Sequence, residues 1–230
     1  MTHKLFATSK FFIVTLIFFS SAGFSDNLRW PKNPVVFSGT PTATSIGGIK
    51  IDIFPFASVT LPTGEIAPLS LSGKGLRQKW VAIVKVNAYV GIHYLDNPSL
   101  LSATDPIGSL ANTRTRMMVL HMLQNATAND IRAEFEDALD FNGVNLNSPE
   151  MSSLREQMTF SLNAGERAYL IGYHTEDDND EHFYIDTKLK SIIEKGPALV
   201  SDFWRAWFGV SIDQEMANFK KALLSKAGKP

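Results

Sequence analysis

One stretch, Leu71 to Asp96 (LSGKGLRQKWVAIVKVNAYVGIHYLD), limits the folds open to this chain more than any other. From Leu76 to Val90 it is rich in Val, with Ile, Tyr and Trp, and it meets no Gly or Pro until Gly91. β-Branched and aromatic residues pack well on a pleated surface, so this is strand composition. Counted by twos from Trp80, one face carries Ala82, Val84, Val86, Ala88, Val90, Ile92 and Tyr94, almost all apolar. The other carries Val81, Ile83, Lys85, Asn87, Tyr89, Gly91 and His93, which is mixed. Such a strand belongs in a sheet with one dry face and one face over a cleft or water. Gly73 and Gly75 read as a tight turn that opens it. Arg77 and Tyr89 share parity, so an uninterrupted strand points both to the mixed face. The run exceeds an ordinary strand. A bend or turn is therefore expected near Lys85–Asn87, and parity arguments lose force beyond it.

The flanking segments predict an α+β domain. Asn27 to Ser45 reads as a linker with one edge strand around Val35-Val36-Phe37, and Ile49 to Val59 as an edge strand broken at Pro55. Pro62-Thr63-Gly64 turns a hairpin into the central stretch. Arg116 to Leu123 alternates as a strand, with Met118, Leu120 and Met122 on one face. Thr127 caps a helix over Ala128 to Phe141, with Asp130 in the capping-box position. Ile131, Phe135, Ala138 and Leu139 form its inner side, and Arg132, Glu134 and Asp137 lie mostly outward. Ser148-Pro149 starts a second helix running to about Leu162. Glu166–His174 and Glu181–Asp186 make a hairpin, followed by a short strand at Lys190–Ile193. Ala198–Phe208 and Ile212–Lys226 close the chain as helices. The inventory is six or seven strands beneath about four helices.

Composition and the first residues set the address. Lys4 and Lys10, the apolar run Phe11–Phe19 and the small residues Ser20 to Ser25 read as a secretory signal peptide over residues 1–25. The apolar run is short for a membrane span, so the expectation is export to the periplasm or beyond, with no stable membrane span after cleavage. Residues 26–56 then form the linker and edge strand, and 57–226 the domain. With 44% hydrophobic residues the chain can build a real core, and a net charge of −1 gives no footprint for nucleic acid. Cys is absent, which excludes disulfides, thiolate metal sites and a Cys nucleophile.

Few residues announce chemistry. The acidic tip Glu176–Glu181 lacks the Gly and terminal Glu spacing of a calcium loop. His93, His121, His174 and His182 follow no metal-ligand spacing. No nucleophile motif or phosphate-cradling loop stands out. The cluster Phe203, Trp204, Trp207 and Phe208 reads as core. What remains is Arg77, whose planar fork suits a carboxylate if it points into an aromatic cleft, against the ordinary alternative of a surface arginine.

Several segments, in order, resemble the bacterial exported branch of the chalcone isomerase-like family. These are Gly73-Lys74-Gly75-Leu76-Arg77, Tyr89-Val90 leading to Tyr94-Leu95, Trp207-Phe208-Gly209, and Phe219-Lys220-Lys221-Ala222-Leu223-Leu224. The resemblance spans roughly Ala57 to Lys226. It implies an open-faced β-sandwich, a large antiparallel sheet with a helical layer on one face and a ligand cleft between them. Plant enzymes of the family cyclise chalcones with an Arg after the Gly turn, a strand Thr, a helix Tyr and Asn, and a tail-helix Ser or Thr. Here Arg77 is kept, but Tyr89, Ile131, Ala138 and Ala206 stand at the other positions. That loss argues against chalcone isomerisation and leans the reading toward a protein without catalytic residues; no metal or cofactor is expected either.

Non-catalytic relatives bind fatty acids through the same Arg and a strand Tyr. The resemblance therefore implies a small amphipathic carboxylate held by Arg77 and Tyr89, against a wall of Ile131, Ala138, Ala206 and Trp207. Two other readings stay open. One is a divergent isomerase or lyase, with Tyr89, His93 or His121 as base. The other is a structural or partner-binding protein whose cleft is filled by its own side chains. A cleft too small for a ligand favours the last, and a strongly shifted pKa in the cleft favours the enzyme.

Overall fold

A computed structural model describes residues 30–175 and 179–226. The expected signal peptide lies outside the described residues, as does part of the acidic tip. The fold is α+β. Eight strands form one antiparallel sheet in the order β1-β4-β5-β6-β7-β8-β9-β10. They are β1 (Val35–Ser38), β4 (Phe56–Thr60), β5 (Ile66–Val81), β6 (Val84–Leu95), β7 (Thr115–Met122), β8 (Arg167–His174), β9 (Glu181–Thr187) and β10 (Ser191–Gly196). A separate hairpin pairs β2 (Thr42–Ile46) with β3 (Ile49–Ile53). Among the described residues five α-helices accompany the strands: α1 (Pro106–Leu110), α2 (Ala128–Phe141), α3 (Pro149–Gln157), α4 (Leu199–Phe208) and α5 (Gln214–Leu223). No helix among the described residues is long and apolar enough to cross a membrane.

The central stretch is a hairpin. Its turn is Ala82-Ile83, between the paired residues Val81 and Val84, earlier than the expected bend at Lys85–Asn87. Two-residue hairpin turns favour Gly, Asn or Asp where φ is positive. Ala82 takes that conformation at φ 53° without being any of them, so the usual signal is missing. Arg77 and Tyr89 do share a face, but because they are direct cross-strand partners in β5 and β6. Register shifts at Leu71/Gly73 and Arg77/Gln78 leave Ser72 and Ala88 as extra residues in their strands.

Gly73 and Gly75 lie inside β5 and do not form the expected turn. They serve close approach. A Cβ on Gly73 would sit 1.7 Å from the Leu223 carbonyl oxygen, and one on Gly75 would sit 2.9 Å from the Phe219 ring. Gly91 on β6 meets the same ring at 2.4 Å. Three missing side chains thus let α5 lie directly on the strands.

Both faces of the sheet are covered, and the mixed face, expected over a cleft or water, carries the helices with a cavity beneath them. The helical side holds Leu120, Met122, Leu154, Phe203, Trp204, Trp207 and Phe219 in one core. The other side packs Val90, Ile92, Tyr94, Met117 and Val119 against Ile51 and Ile53 of β3, with Trp30 and Phe37 at its margin. In the stretch expected as linker and edge strand, β1 and β3 fall where strands were read, and β2 adds a hairpin partner to β3 and residues to this core. α2 starts at Thr127 with the full capping box to Asp130. The second helix, α3, ends at Gln157 and falls short of Leu162. Behind α4, Arg116 donates to Glu181 at 3.1 Å with both side chains buried, and Glu181 accepts the Ser201 backbone N–H.

Candidate functional site

A cavity opens between β6, β7 and the helices α2, α4 and α5. Its walls include Ala88, Tyr89, Leu120, Met122, Ile131, Phe135, Ala138, Leu162, Ala206, Trp207 and Met216. Lys79, Gln124, Asn125, Asp130 and Glu134 give it polar residues. About 60 Å³ is open to the centres of water-sized groups, and the empty space including the open mouth is about 630 Å³. The first figure is small beside the ~300–1,000 Å³ of ordinary ligand pockets, so a ligand of any length extends through the mouth.

The fold places each wall residue for a local reason. The extra residue Ala88 puts both itself and Tyr89 on the helical side of β6. Helical spacing carries Ile131, Glu134, Phe135 and Ala138 along one side of α2. Trp207 comes from the aromatic helix and packs edge-on to Phe135 at 5.5 Å. Of the six residues expected at a ligand site, Tyr89, Ile131, Ala138, Ala206 and Trp207 all line this cavity.

Arg77 is beside the cavity and does not line it. Its side chain is buried, and its fork closes on Asp213, with Nη1 and Nη2 each 3.0 Å from one carboxylate oxygen. Nε donates to Glu134 at 3.2 Å, and Nη1 donates again to the Gln78 carbonyl at 2.6 Å. Four of its five N–H groups are thus used within the protein. Lys79 holds the other Glu134 oxygen at 3.5 Å. Two cations face two carboxylates, so the cluster is locally neutral. Glu134 was expected to point outward, yet it turns toward the sheet because Arg77 and Lys79 wait there.

Burial acts first on Asp213 by raising its pKa, but the Arg77 hydrogen bonds and the Met216 N–H outweigh that and hold the carboxyl below its usual value. Asp213 does double duty as N-cap of α5, accepting from Met216 at 2.5 Å.

Tyr89 is the polar group of the apolar wall. Its hydroxyl accepts the Trp207 indole N–H at 3.2 Å, and among the described residues its own proton meets no acceptor. Burial, with the Glu134 charge adding, raises its pKa well above the ordinary phenol value. Tyr89 is therefore a hydrogen-bond donor at neutral pH and no base.

The other base candidates are elsewhere. His93 is fully buried and pushed down to about 3, by burial first and then by the charge of Arg116. Trp204 donates to its Nε2 at 3.1 Å, which leaves the proton on Nδ1, 2.7 Å from the Ser72 hydroxyl. Ser72 in turn donates to the His93 carbonyl. This closed circuit holds α4 to the bulge of β5. His121 lies on the opposite face of the sheet, where it accepts from Arg167 at 3.3 Å. Among the described residues no group of three or more acidic or His side chains could hold a metal.

Asp213, Glu134, Lys79, Gln124 and Asn125 escaped the sequence reading. Asp213 had a signal, since an Asp followed by Gln214-Glu215 and an amphipathic run is a helix cap. Its grip on Arg77 had none, because nothing local links residues so distant in the chain.

No family model matches the chain, and no curated protein matches it.

Proposed function

We propose that the chain is a non-catalytic, chalcone isomerase-like binding protein, exported to the periplasm or secreted, whose sheet–helix cavity takes a small amphipathic ligand. A fatty acid or similar carboxylate fits best. The observation that carries this reading is the pairing of an apolar cavity with one buried hydroxyl, Tyr89, whose proton meets no acceptor among the described residues. Sites of this kind are mostly apolar with a few placed polar groups that fix orientation.

The head group meets Tyr89 first. Arg77 supplies positive charge nearby, but a ligand carboxylate reaches its fork only by displacing Asp213, which also caps α5. Lys79 and Asn125 offer further donors at the cavity. The apolar part of the ligand then lies among Ile131, Ala138, Ala206 and Trp207. A divergent isomerase is poorly served here, because Tyr89 holds its proton and His93 is sealed in its own circuit. The small enclosed volume favours a different second reading, a structural protein whose cleft is filled by its own side chains.

Titration with fatty acids of increasing chain length, followed by calorimetry, separates these readings. Saturable binding that weakens about tenfold in Tyr89→Phe, the loss of roughly one hydrogen bond to a charged acceptor, supports the ligand site. No binding at any chain length supports the filled cleft.

A further inference from the structure

A second groove lies on the sheet face opposite the helices. Trp30 stacks on Tyr184 of β9 at 4.1 Å and meets Tyr173 of β8 edge-on at 5.6 Å, which pins the segment before β1 against the strands. Between that segment and β8, β9 and β10, about 770 Å³ is open to the centres of water-sized groups, against about 60 Å³ in the sheet–helix cavity. The larger figure falls within the range of ordinary small-molecule sites.

Unlike Arg77, the arginine here is not answered within the protein. Arg167 of β8 is half-buried, and its Nε donates to His121 Nδ1 at 3.3 Å. Burial first, then the Arg167 charge, hold His121 below its ordinary pKa, so it accepts as a neutral ring and cancels none of that charge. The other N–H groups of Arg167 meet no acceptor and no carboxylate among the described residues. Two residues along the same face, the Tyr169 hydroxyl is equally without a partner there. Lys32 is exposed at the rim and makes no ion pair among the described residues. Lys188 adds nothing, because Glu166 answers it at 3.4 Å. Asp186 also lines the groove, where it accepts the Ser191 hydroxyl at 2.7 Å. Two free cations against this carboxylate leave a surplus of one positive charge.

We infer that this groove is a second ligand site, for an aromatic carboxylate. The planar fork of Arg167, held by His121 through Nε alone, matches the two oxygens of a carboxylate, and the Tyr169 hydroxyl donates beside it. A surplus of one positive charge suits a monoanion better than a phosphate dianion. Trp30 and the half-exposed Ile193 give the ligand ring an apolar wall to pack on. The groove stands on the opposite face from the sheet–helix cavity, so the inference does not rest on that cavity's ligand.

Calorimetric titration of the full chain with naphthoate at neutral pH tests the inference, beside the uncharged naphthamide and phenyl phosphate, for the wild type, Arg167→Gln and Tyr169→Phe. Tyr169→Phe removes a hydroxyl that bonds nothing in the protein, so it keeps the wild-type melting temperature even if Arg167→Gln does not. Both residues lie outside the sheet–helix cavity, so any binding of fatty acid is the same in the variants. The expected result is saturable binding of naphthoate by the wild type, about a hundredfold weaker in Arg167→Gln and about tenfold weaker in Tyr169→Phe, with naphthamide and phenyl phosphate both weaker ligands. A wild type that binds no naphthoate overturns the inference. So does naphthamide or phenyl phosphate binding as tightly as naphthoate, or an affinity for naphthoate unchanged in Tyr169→Phe and in a folded Arg167→Gln.

Discussion

Arg77 and Asp213 meet fork to fork, both contacts 3.0 Å, and so fasten the middle of β5 to the first turn of α5. The pair joins the strand that forms one side of the central hairpin to the helix that closes the cavity. A group that looked in sequence like a receptor for an external carboxylate already holds an internal one.

Asp213→Ala should be costly. It removes the α5 cap and leaves the Arg77 charge buried with only Glu134 beside it. Breaking a buried pair costs about 3–5 kcal/mol, and the partial exposure of Asp213 reduces this to about 2–3 kcal/mol. Asp213→Asn keeps a capping oxygen and should lose less. Urea unfolding at neutral pH measures both: equal stabilities for the two variants would show that the cap contributes little, and an Asn variant as stable as the wild type would show that the charge pair does.

Stability should fall in acid partly through His93. Its folded value of about 3 lies below the ordinary histidine value of 6.5. The unfolded chain therefore binds a proton that the folded chain refuses within that window. The contribution is complete above about pH 6.5 and is lost as pH falls toward about 3, at about 1.4 kcal/mol per pH unit. His93→Gln should be less stable at pH 7, having lost the fit to Trp204 and Ser72, but should show a shallower decline from pH 6.5 to 4. His121 and His174 are lowered too, by burial first, and their slope remains in the variant. Parallel pH profiles would contradict the assignment.

Gly73→Ala should lift α5 from the sheet. The added carbon meets the Leu223 backbone, which cannot rotate away. Overpacking of this kind costs about 1–3 kcal/mol, and the backbone obstacle places this site at the upper end. Thermal unfolding of Gly73→Ala beside Gly143→Ala, whose Cβ meets nothing within 4 Å, separates contact from conformation, since Gly143 at φ 70° carries only the backbone strain.

Ala82→Gly should act in the opposite sense. Ala82 holds φ 53° in a two-residue turn, a conformation that costs a residue with a Cβ about 1–2 kcal/mol. Glycine removes that strain and gives back part of the gain as chain entropy. A gain of about 0.5–1 kcal/mol in unfolding free energy is expected, and a loss would show that the turn is unstrained.

Local signals in the sequence carried much of the fold. Thr127 and Asp130 marked the start of α2 because a capping box is written in adjacent residues. Asn142-Gly143 marked its end, and the alternation of Met118, Leu120 and Met122 marked β7. The central hairpin was obscured because Ala82 and Ile83 make a turn without turn residues. Gly73 and Gly75 were read as a turn because close approach of a distant helix leaves no local trace. For the cavity, helical spacing and the family resemblance together brought out five wall residues. The placement of Arg77 depended on Asp213, a partner from the far end of the chain, which periodicity cannot supply.

Calorimetric titration of the protein with fatty acids, for the wild type beside Tyr89→Phe and the cavity-filling Ala138→Trp, tests the binding account most directly. The account predicts saturable binding by the wild type, about tenfold weaker binding by Tyr89→Phe, and none by a folded Ala138→Trp. Binding unchanged in both variants would place the ligand elsewhere, and a wild type that binds no fatty acid would contradict the account.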